Sequence, residues 1–187
     1  MYSTSNLLKV VHSMIIVVFL LCVFNFPAFI NNALADDSLD EYLNTELDKF
    51  TKDIEKWKQQ TYTQNDIQLA ANHLNASAKS YSEGEVDKAL DYAKKAIESC
   101  PLAGLPYIRL GWLYIAKGDY KKSLLSFKKF RVISPDDQRI FFGIASAYFE
   151  LGEIDNANKA NIRYLKAQPQ NKEAQELQNE INNKLKQ

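Results

Sequence analysis

Hydrophobic residues in the middle of the chain recur at intervals of three and four, which predicts two successive amphipathic helices. Tyr107, Leu110 and Tyr114 lie on one face of the first helix. Gly118 then tolerates the left-handed backbone conformation that commonly ends a helix, and Asp119 can cap the next one. The stripe of the second helix consists of Tyr120, Leu124, Phe127 and Phe130.

The same pattern occurs once before and once after this pair of helices, at a constant spacing. Gly118 corresponds to Gly84 and Gly152, and Pro135 corresponds to Pro101 and Pro169. A period of about 34 with glycine and proline at constant phase resembles the tetratricopeptide repeat family over about residues 70–171. The resemblance implies an all-α fold, an α-α solenoid with a right-handed superhelical twist. Its domain, residues 63–171, would hold three helix-turn-helix repeats at about 70–103, 104–137 and 138–171. Small residues stand where the family's helices cross closely: Ser77, Gly111 and Ala145.

Two further helices are predicted on either side of the repeats. Residues 36–62 contain an amphipathic helix with the stripe Leu39, Leu43, Leu47, Phe50, Ile54 and Trp57. Fully burying such side chains is worth about 1.5–3 kcal/mol each, so we expect the stripe to pack on the repeats, a second copy or a partner. Residues 172–187 form a capping helix with one apolar and one polar face.

The first 35 residues predict a secretory signal peptide. Lys9 precedes the apolar stretch Val10–Phe26, and Ala33-Leu34-Ala35 provides a small-residue cleavage site. The alternative is an uncleaved membrane anchor, because residues 10–30 are long enough to span a bilayer. Either interpretation predicts an exported protein. It would be periplasmic, or anchored and facing the periplasm, in a bacterium, and it would enter the secretory pathway in a eukaryote.

Composition argues against catalysis and against nucleic-acid binding. Lys plus Arg and Asp plus Glu number 23 each, so the whole chain has no net charge to attract nucleic acid. After residue 35 the chain has one histidine, His73, and one cysteine, Cys100. These two residue types commonly bind metals or act in nucleophilic catalysis. His73 falls at a packing phase of the repeat. Cys100 is interpreted as a half-buried structural thiol or, alternatively, as one half of an intermolecular disulfide. We expect no enzyme activity, no cofactor and no metal.

The resemblance implies that the leading helix of each repeat lines a concave groove. The groove positions are apolar and aromatic with two arginines: Leu74, Tyr81, Leu105, Ile108, Arg109, Trp112, Ile115, Arg139, Phe142 and Phe149, together with Gly143. Exposed patches of this kind are typical of binding sites. The family's best-known acidic-tail clamp needs polar groups where Leu74 and Ala78 stand. We therefore expect an apolar protein or peptide segment, with a carboxylate paired to Arg109 or Arg139.

A second interpretation is that the groove is already occupied. The helix from Leu39 to Trp57 could lie in it, either in the same chain or in a homodimer. The predicted function is thus a non-enzymatic, exported interaction scaffold in an envelope-associated complex. The alternatives are an oligomerising structural protein and a regulatory accessory subunit of an exported enzyme.

Overall fold

A computed structural model describes residues 38–186. The predicted signal peptide or anchor, residues 1–35, lies outside this range. Within residues 38–186, no helix combines the length and the hydropathy needed to cross a bilayer.

The described residues belong to two compact units, 38–42 and 43–186, and all of their regular structure is helical. Helix α1 comprises residues 38–57, and its first five residues are the described part of the first unit. The second unit contains the remainder of α1 and the helices α2 (Gln64–Ser82), α3 (Val86–Ser99), α4 (Gly104–Lys117), α5 (Tyr120–Ile133), α6 (Ile140–Glu150), α7 (Ile154–Ala167) and α8 (Lys172–Lys184).

The helices of the second unit stack in the order of the chain. The strongest contacts join α2 with α3, α4 with α5, and α6 with α7. Successive pairs then meet through α3 and α4 and through α5 and α6, and α8 covers α7. Helices α2, α4 and α6 also contact one another in sequence along one side. The predicted fold class, an all-α solenoid of helix pairs, is confirmed.

Turn glycines and capping side chains set the helix ends as the sequence predicted. Gly84, Gly118 and Gly152 have φ of 81°, 76° and 81°, a left-handed conformation that only glycine adopts without strain. The Asp119 carboxylate accepts a hydrogen bond from the backbone N–H of Lys122 at the start of α5. The Asn171 side chain caps α8 in the same way.

The start of α6 differs from the prediction. The acidic pair Asp136-Asp137 is typical of the first turn of a helix and predicts that α6 begins there, whereas α6 begins at Ile140. Asp137 Oδ1 accepts from the Arg139 backbone N–H at 3.0 Å, and its carboxylate also binds the Arg139 guanidinium. Because short acidic side chains can bond the backbone two residues ahead, Asp137 stabilises a turn before the helix.

The ring of Phe127 occupies a slot between two helix pairs. Its side chain is fully buried and lies where a Cβ atom would stand on either Gly111 of α4 or Gly143 of α6. A Cβ at Gly143 would be 2.6 Å from the Phe127 Cζ atom, closer than carbon atoms pack. The small residue expected at Gly111 is thus explained, whereas Gly143 belongs to the core and not to an open groove.

The position one repeat period after Phe127 is occupied by a buried amide, Asn161. Its Nδ2 donates to the Ala174 carbonyl oxygen at 2.8 Å and to Gln178 Oε1 at 3.0 Å. Gln178 Nε2 donates in turn to Asn158 Oδ1 at 2.7 Å. Helix α8 is therefore held to α7 by side-chain hydrogen bonds, although the buried Asn161 Oδ1 finds no partner among the described residues. Helices α5 and α6, in contrast, are joined through an aromatic ring.

Residues 43–57 of α1 pack on the second helix pair. The Phe50 ring meets the Tyr107 ring edge-on at 5.4 Å, and Lys129 Nζ lies 5.2 Å from the Phe50 centroid. Leu43, Phe50 and Ile54 are all buried. Burial lowers the pKa of Lys129, and the negative charges of Glu46 and Asp53 partly offset this decrease. The apolar stripe was expected to pack on the repeats, on a second copy or on a partner. In residues 43–57 it packs on the helix pairs of its own chain.

The glycine slot predicts a specific cost for an added methyl group. Gly111→Ala should lower the free energy of unfolding by about 1–3 kcal/mol, because the new Cβ overlaps the Phe127 ring in a core that cannot expand. Urea unfolding at constant m-value measures it. The same substitution in a Phe127→Leu background should cost less, since the overlapping ring is gone. Additive costs in this cycle would mean that the ring and the glycine do not interact.

Two buried serines, one in α2 and one in α5, provide a matched comparison. Ser77 Oγ donates to the Ala89 carbonyl oxygen at 2.8 Å, whereas the buried Ser123 Oγ has no hydrogen-bond partner. Ser77→Ala should destabilise by about 0.5–1.5 kcal/mol. Ser123→Ala should be neutral or stabilising, because it removes an unsatisfied buried hydroxyl. Thermal unfolding of both variants checks the difference, and equal losses would contradict it.

Candidate functional site

The most exposed aromatic side chain of α4 is Trp112, which keeps 39% of its surface accessible. Its indole meets the buried Phe127 ring edge-on at 5.3 Å. On the other side it lies 5.8 Å from Phe142 of α6, and Phe142 lies 5.4 Å from Tyr164 of α7. A row of rings thus runs from α4 to α7. Aromatic pairs at these distances add to the stability from buried area, so the indole is held in position while one side of it faces solvent.

Trp112 forms one wall of a cleft of about 400 Å³ between α2 and α4. The cleft is lined by Tyr81, Arg109, Trp112, Leu113, Ile115 and Ala116. Arg109 is half-buried there and forms no ion pair with any described residue. A fixed indole, an accessible phenol ring and a guanidinium without a carboxylate therefore meet in one depression, which we call the Trp112 cleft.

Two other predicted groove residues, Leu74 and Leu105, line a separate apolar cleft of about 300 Å³. It lies between α2 and the segment that leads into α4, beside Ile67 and Cys100. Leu105 is 61% exposed and Ile67 is 48% exposed. Cys100 is buried as a free thiol. The residues predicted for one groove thus divide between two depressions.

The remaining predicted residues occupy different environments. Ile108 and Phe149 are half-buried, and Phe142 joins the site through its ring contact with Trp112. Arg139 lies in the turn before α6, where Asp137 already binds its guanidinium. The hydrogen bond from Arg139 lowers the pKa of the Asp137 carboxyl group, as expected for a formed ion pair. Arg109 is consequently the better candidate to bind a carboxylate from a ligand.

Helix α1 does not close the Trp112 cleft in this structure. Its Phe50 ring contacts Tyr107 and Lys129 and packs 5.6 Å from its own Trp57, while Trp112 stays exposed. Residues 43–57, the part of the Leu39–Trp57 helix in the second unit, therefore do not occupy the Trp112 cleft. A homodimer through this helix remains a prediction, and it would require the buried stripe to leave its present contacts.

The sequence analysis missed a local excess of positive charge, because the net charge of the whole chain is zero. Residues 104–135, which contain α4 and α5, hold seven Lys or Arg and one Asp, a net charge of +6. Several of these cations lie over aromatic rings: Lys122 over Tyr114, Lys128 over Tyr148, Lys129 over Phe50 and Arg131 over Phe141. A charge count over each predicted helix pair, instead of over the whole chain, would have found this.

His73 belongs to a residue type that often serves in catalysis or metal binding, but here its ring packs against another ring. The His73 ring stacks on Tyr92 at 6.2 Å. Among residues 38–186, no three His, Cys, Asp or Glu side chains come together in a way that could hold a metal ion.

Known proteins resemble this chain in part of its sequence and in its helical fold. The tetratricopeptide repeat family model matches residues 106–130. The Hsp70-Hsp90 organising protein of Plasmodium falciparum is 28% identical over 105 residues, which are 56% of this chain and 42% of that protein. The chain thus spans less than half the length of this curated relative.

Solved structures share the fold at low sequence identity. The first TPR domain of Spaghetti (RPAP3), bound to the HSP90 peptide SRMEEVD, has a TM-score of 0.62 and 19% identity, covering 65% of this chain and 98% of that one. The Yersinia enterocolitica type III secretion chaperone SycD, in complex with a peptide of the translocator YopD, has a TM-score of 0.52 and 17% identity, covering 62% and 88%. The resemblance in helical architecture predicted from the sequence is confirmed.

An accessible Trp112 predicts efficient fluorescence quenching. In a Trp57→Phe background Trp112 is the only indole, and acrylamide should quench it readily because one side of the ring faces solvent. Adding Phe50→Ala, which loosens α1, should leave the quenching constant unchanged. A protected indole that becomes accessible only when Phe50 is removed would mean that α1 covers the cleft.

Proposed function

We propose that this chain is a tetratricopeptide repeat protein and acts as a non-enzymatic scaffold that binds an apolar peptide segment with a nearby carboxylate in the Trp112 cleft. The observation that carries the proposal is the fixed, 39% exposed indole of Trp112 beside Arg109, which has no ion pair within residues 38–186. An apolar side chain of the ligand would pack on the indole. Its carboxylate would accept hydrogen bonds from the guanidinium, which offers a planar pair of donors suited to that geometry.

The residue types of the cleft favour protein recognition over small-molecule chemistry. Tryptophan, tyrosine and arginine are the residues most enriched among those that dominate binding energy at interfaces. The three are Trp112, Tyr81 and Arg109. The net charge of +6 on residues 104–135 adds a positive field that would accelerate the approach of an acidic segment. Apolar contact and charge therefore select the same class of ligand.

The relatives are consistent with this class of ligand. One solved neighbour is bound to a peptide with two adjacent glutamates and a terminal aspartate, and another is bound to a peptide of the translocator YopD. In this chain Arg109 is the one charged residue among the residues that line the Trp112 cleft, and most of the others are apolar or aromatic. The ligand proposed here is for that reason more apolar than an acidic tail.

The location of the activity is a further part of the proposal. Residues 1–35 carry the sequence features of an export signal or anchor, so the scaffold would act outside the cytoplasm, in an envelope-associated complex. It would contribute binding while any catalysis belonged to its partners.

Selection from a random dodecapeptide library against the chain tests the proposal. Enriched peptides should combine large apolar residues with Asp or Glu. Trp112→Ala should weaken a selected peptide by about 30-fold or more, which corresponds to the roughly 2 kcal/mol loss at a dominant contact. Arg109→Glu should weaken it by a similar factor, because the guanidinium becomes a repelling carboxylate. Calorimetric titration measures both.

A matched charge reversal separates the cleft from general electrostatics. Lys94→Glu changes the same charge on α3, where Lys94 is only loosely paired with Asp91 at 4.0 Å, and it should change affinity less than about threefold. If Arg109→Glu and Lys94→Glu weaken the peptide equally, or if neither does, the assignment to the Trp112 cleft is wrong.

A further inference from the structure

The surface that holds α1 has an equivalent one repeat period later in the chain. We call the contact of Phe50 with Tyr107 and Lys129 the α1 docking site. One period on, Phe141 and Arg163 stand in place of Tyr107 and Lys129. Phe141 is as buried as Tyr107, with 4% and 3% exposure. The Arg163 guanidinium lies 4.0 Å from the Phe141 centroid, so the ring and the cation are both present at the second position.

No described helix covers this second position. It forms a cleft of about 490 Å³ on the outer side of α7, lined by Gln138, Lys159, Ile162, Arg163, Lys166 and Ala167. Ile162 is 42% exposed. Arg163 Nε donates to Gln138 Oε1 at 2.8 Å, which holds the guanidinium across the cleft floor. We call this surface the α7 face.

The two positions differ in charge. One repeat period before the exposed Lys159 stands the buried Leu125, and one period before Lys166 stands Val132. Lys159 and Lys166 form no ion pair with any described residue. Asp155 is the one acidic residue in the sequence of α7. Three cations therefore follow one another at spacings of four and three residues, which keeps them on one side of the helix.

The contacts of α1 indicate what a ligand of this shape offers in return. α1 is an amphipathic helix whose Phe50 packs on the ring and cation, and its Glu46 and Asp53 act electrostatically on Lys129. A helix docked one period later would meet two additional lysines. Its side chains facing them would need to be carboxylates, because burying unpaired cations is unfavourable.

We propose that the α7 face binds an acidic amphipathic helix of a partner protein. Its apolar stripe would cover Ile162 and Ala167, and its carboxylates would pair with Lys159, Arg163 and Lys166. The three cations span about 10 Å along α7, so a partner helix of two to three turns is sufficient. The α1 helix of a second copy is the less suitable occupant, because Leu43, Phe50 and Ile54 are already buried within their own chain.

The peptide of residues 38–58 of this chain is a suitable probe, because it has the required stripe and carries six acidic residues against four lysines. Titrated into the isotope-labelled chain, it should shift the backbone NMR signals of Ile162, Arg163 and Lys166. Lys159→Glu with Lys166→Glu should weaken this binding at least tenfold. The control pair Lys94→Glu with Lys184→Glu, which reverses two charges outside the face, should leave it within threefold.

Three results would overturn the proposal. The first is the absence of shifts on α7 at millimolar peptide. The second is a response confined to Tyr107 and Lys129, which would show only exchange into the α1 docking site. The third is equal binding by poly-glutamate of the same length, which would show a general polyanion surface. Arg109→Glu should not affect the probe, so this test and that of the Trp112 cleft fail independently.

Discussion

The seating of one phenylalanine ring between two glycines constrains most of the described structure. Phe127 is fully buried and occupies the space that a side chain would take on Gly111 and on Gly143. Interiors packed to this density do not absorb an extra methyl group, so the spacing of α4 and α6 is set by the thickness of one ring. Trp112 rests edge-on against that same ring. The Trp112 cleft therefore takes its geometry from the core directly beneath it.

Features that depend on local sequence were predictable. A left-handed turn needs glycine and a helix start needs a short polar side chain, so Gly118 and Asp119 could be assigned from their positions alone. The start of α6 was mispredicted because two uses of one carboxylate compete. Asp137 could cap a helix or bind Arg139 and a preceding turn, and only the folded geometry shows the second. The same contact removes Arg139 from the candidate site.

Features that depend on the arrangement of distant segments were harder to predict from the sequence. The repeat period predicted one groove, and although Arg109 and Trp112 do line one cleft, the period could not show that Leu74 and Leu105 line a different one. That division depends on how α2 crosses α4 and on the path of the chain between them. An amphipathic stripe likewise predicts that one face of a helix is buried, but it does not predict which surface buries it. The contact of Phe50 with Tyr107 and Lys129 was therefore found only in the structure.

The α5–α6 and α7–α8 junctions differ in how readily the helix that follows could be replaced by another. Phe127 requires only a small residue opposite it, so any helix pair with a glycine at that place could follow α5. Asn161 requires a carbonyl and a side-chain amide at defined points, which α8 supplies through Ala174 and Gln178. A substitute helix lacking them would leave a buried amide unsatisfied, at about 1–3 kcal/mol. Recombination with related repeats would thus be tolerated after α5 and resisted after α7.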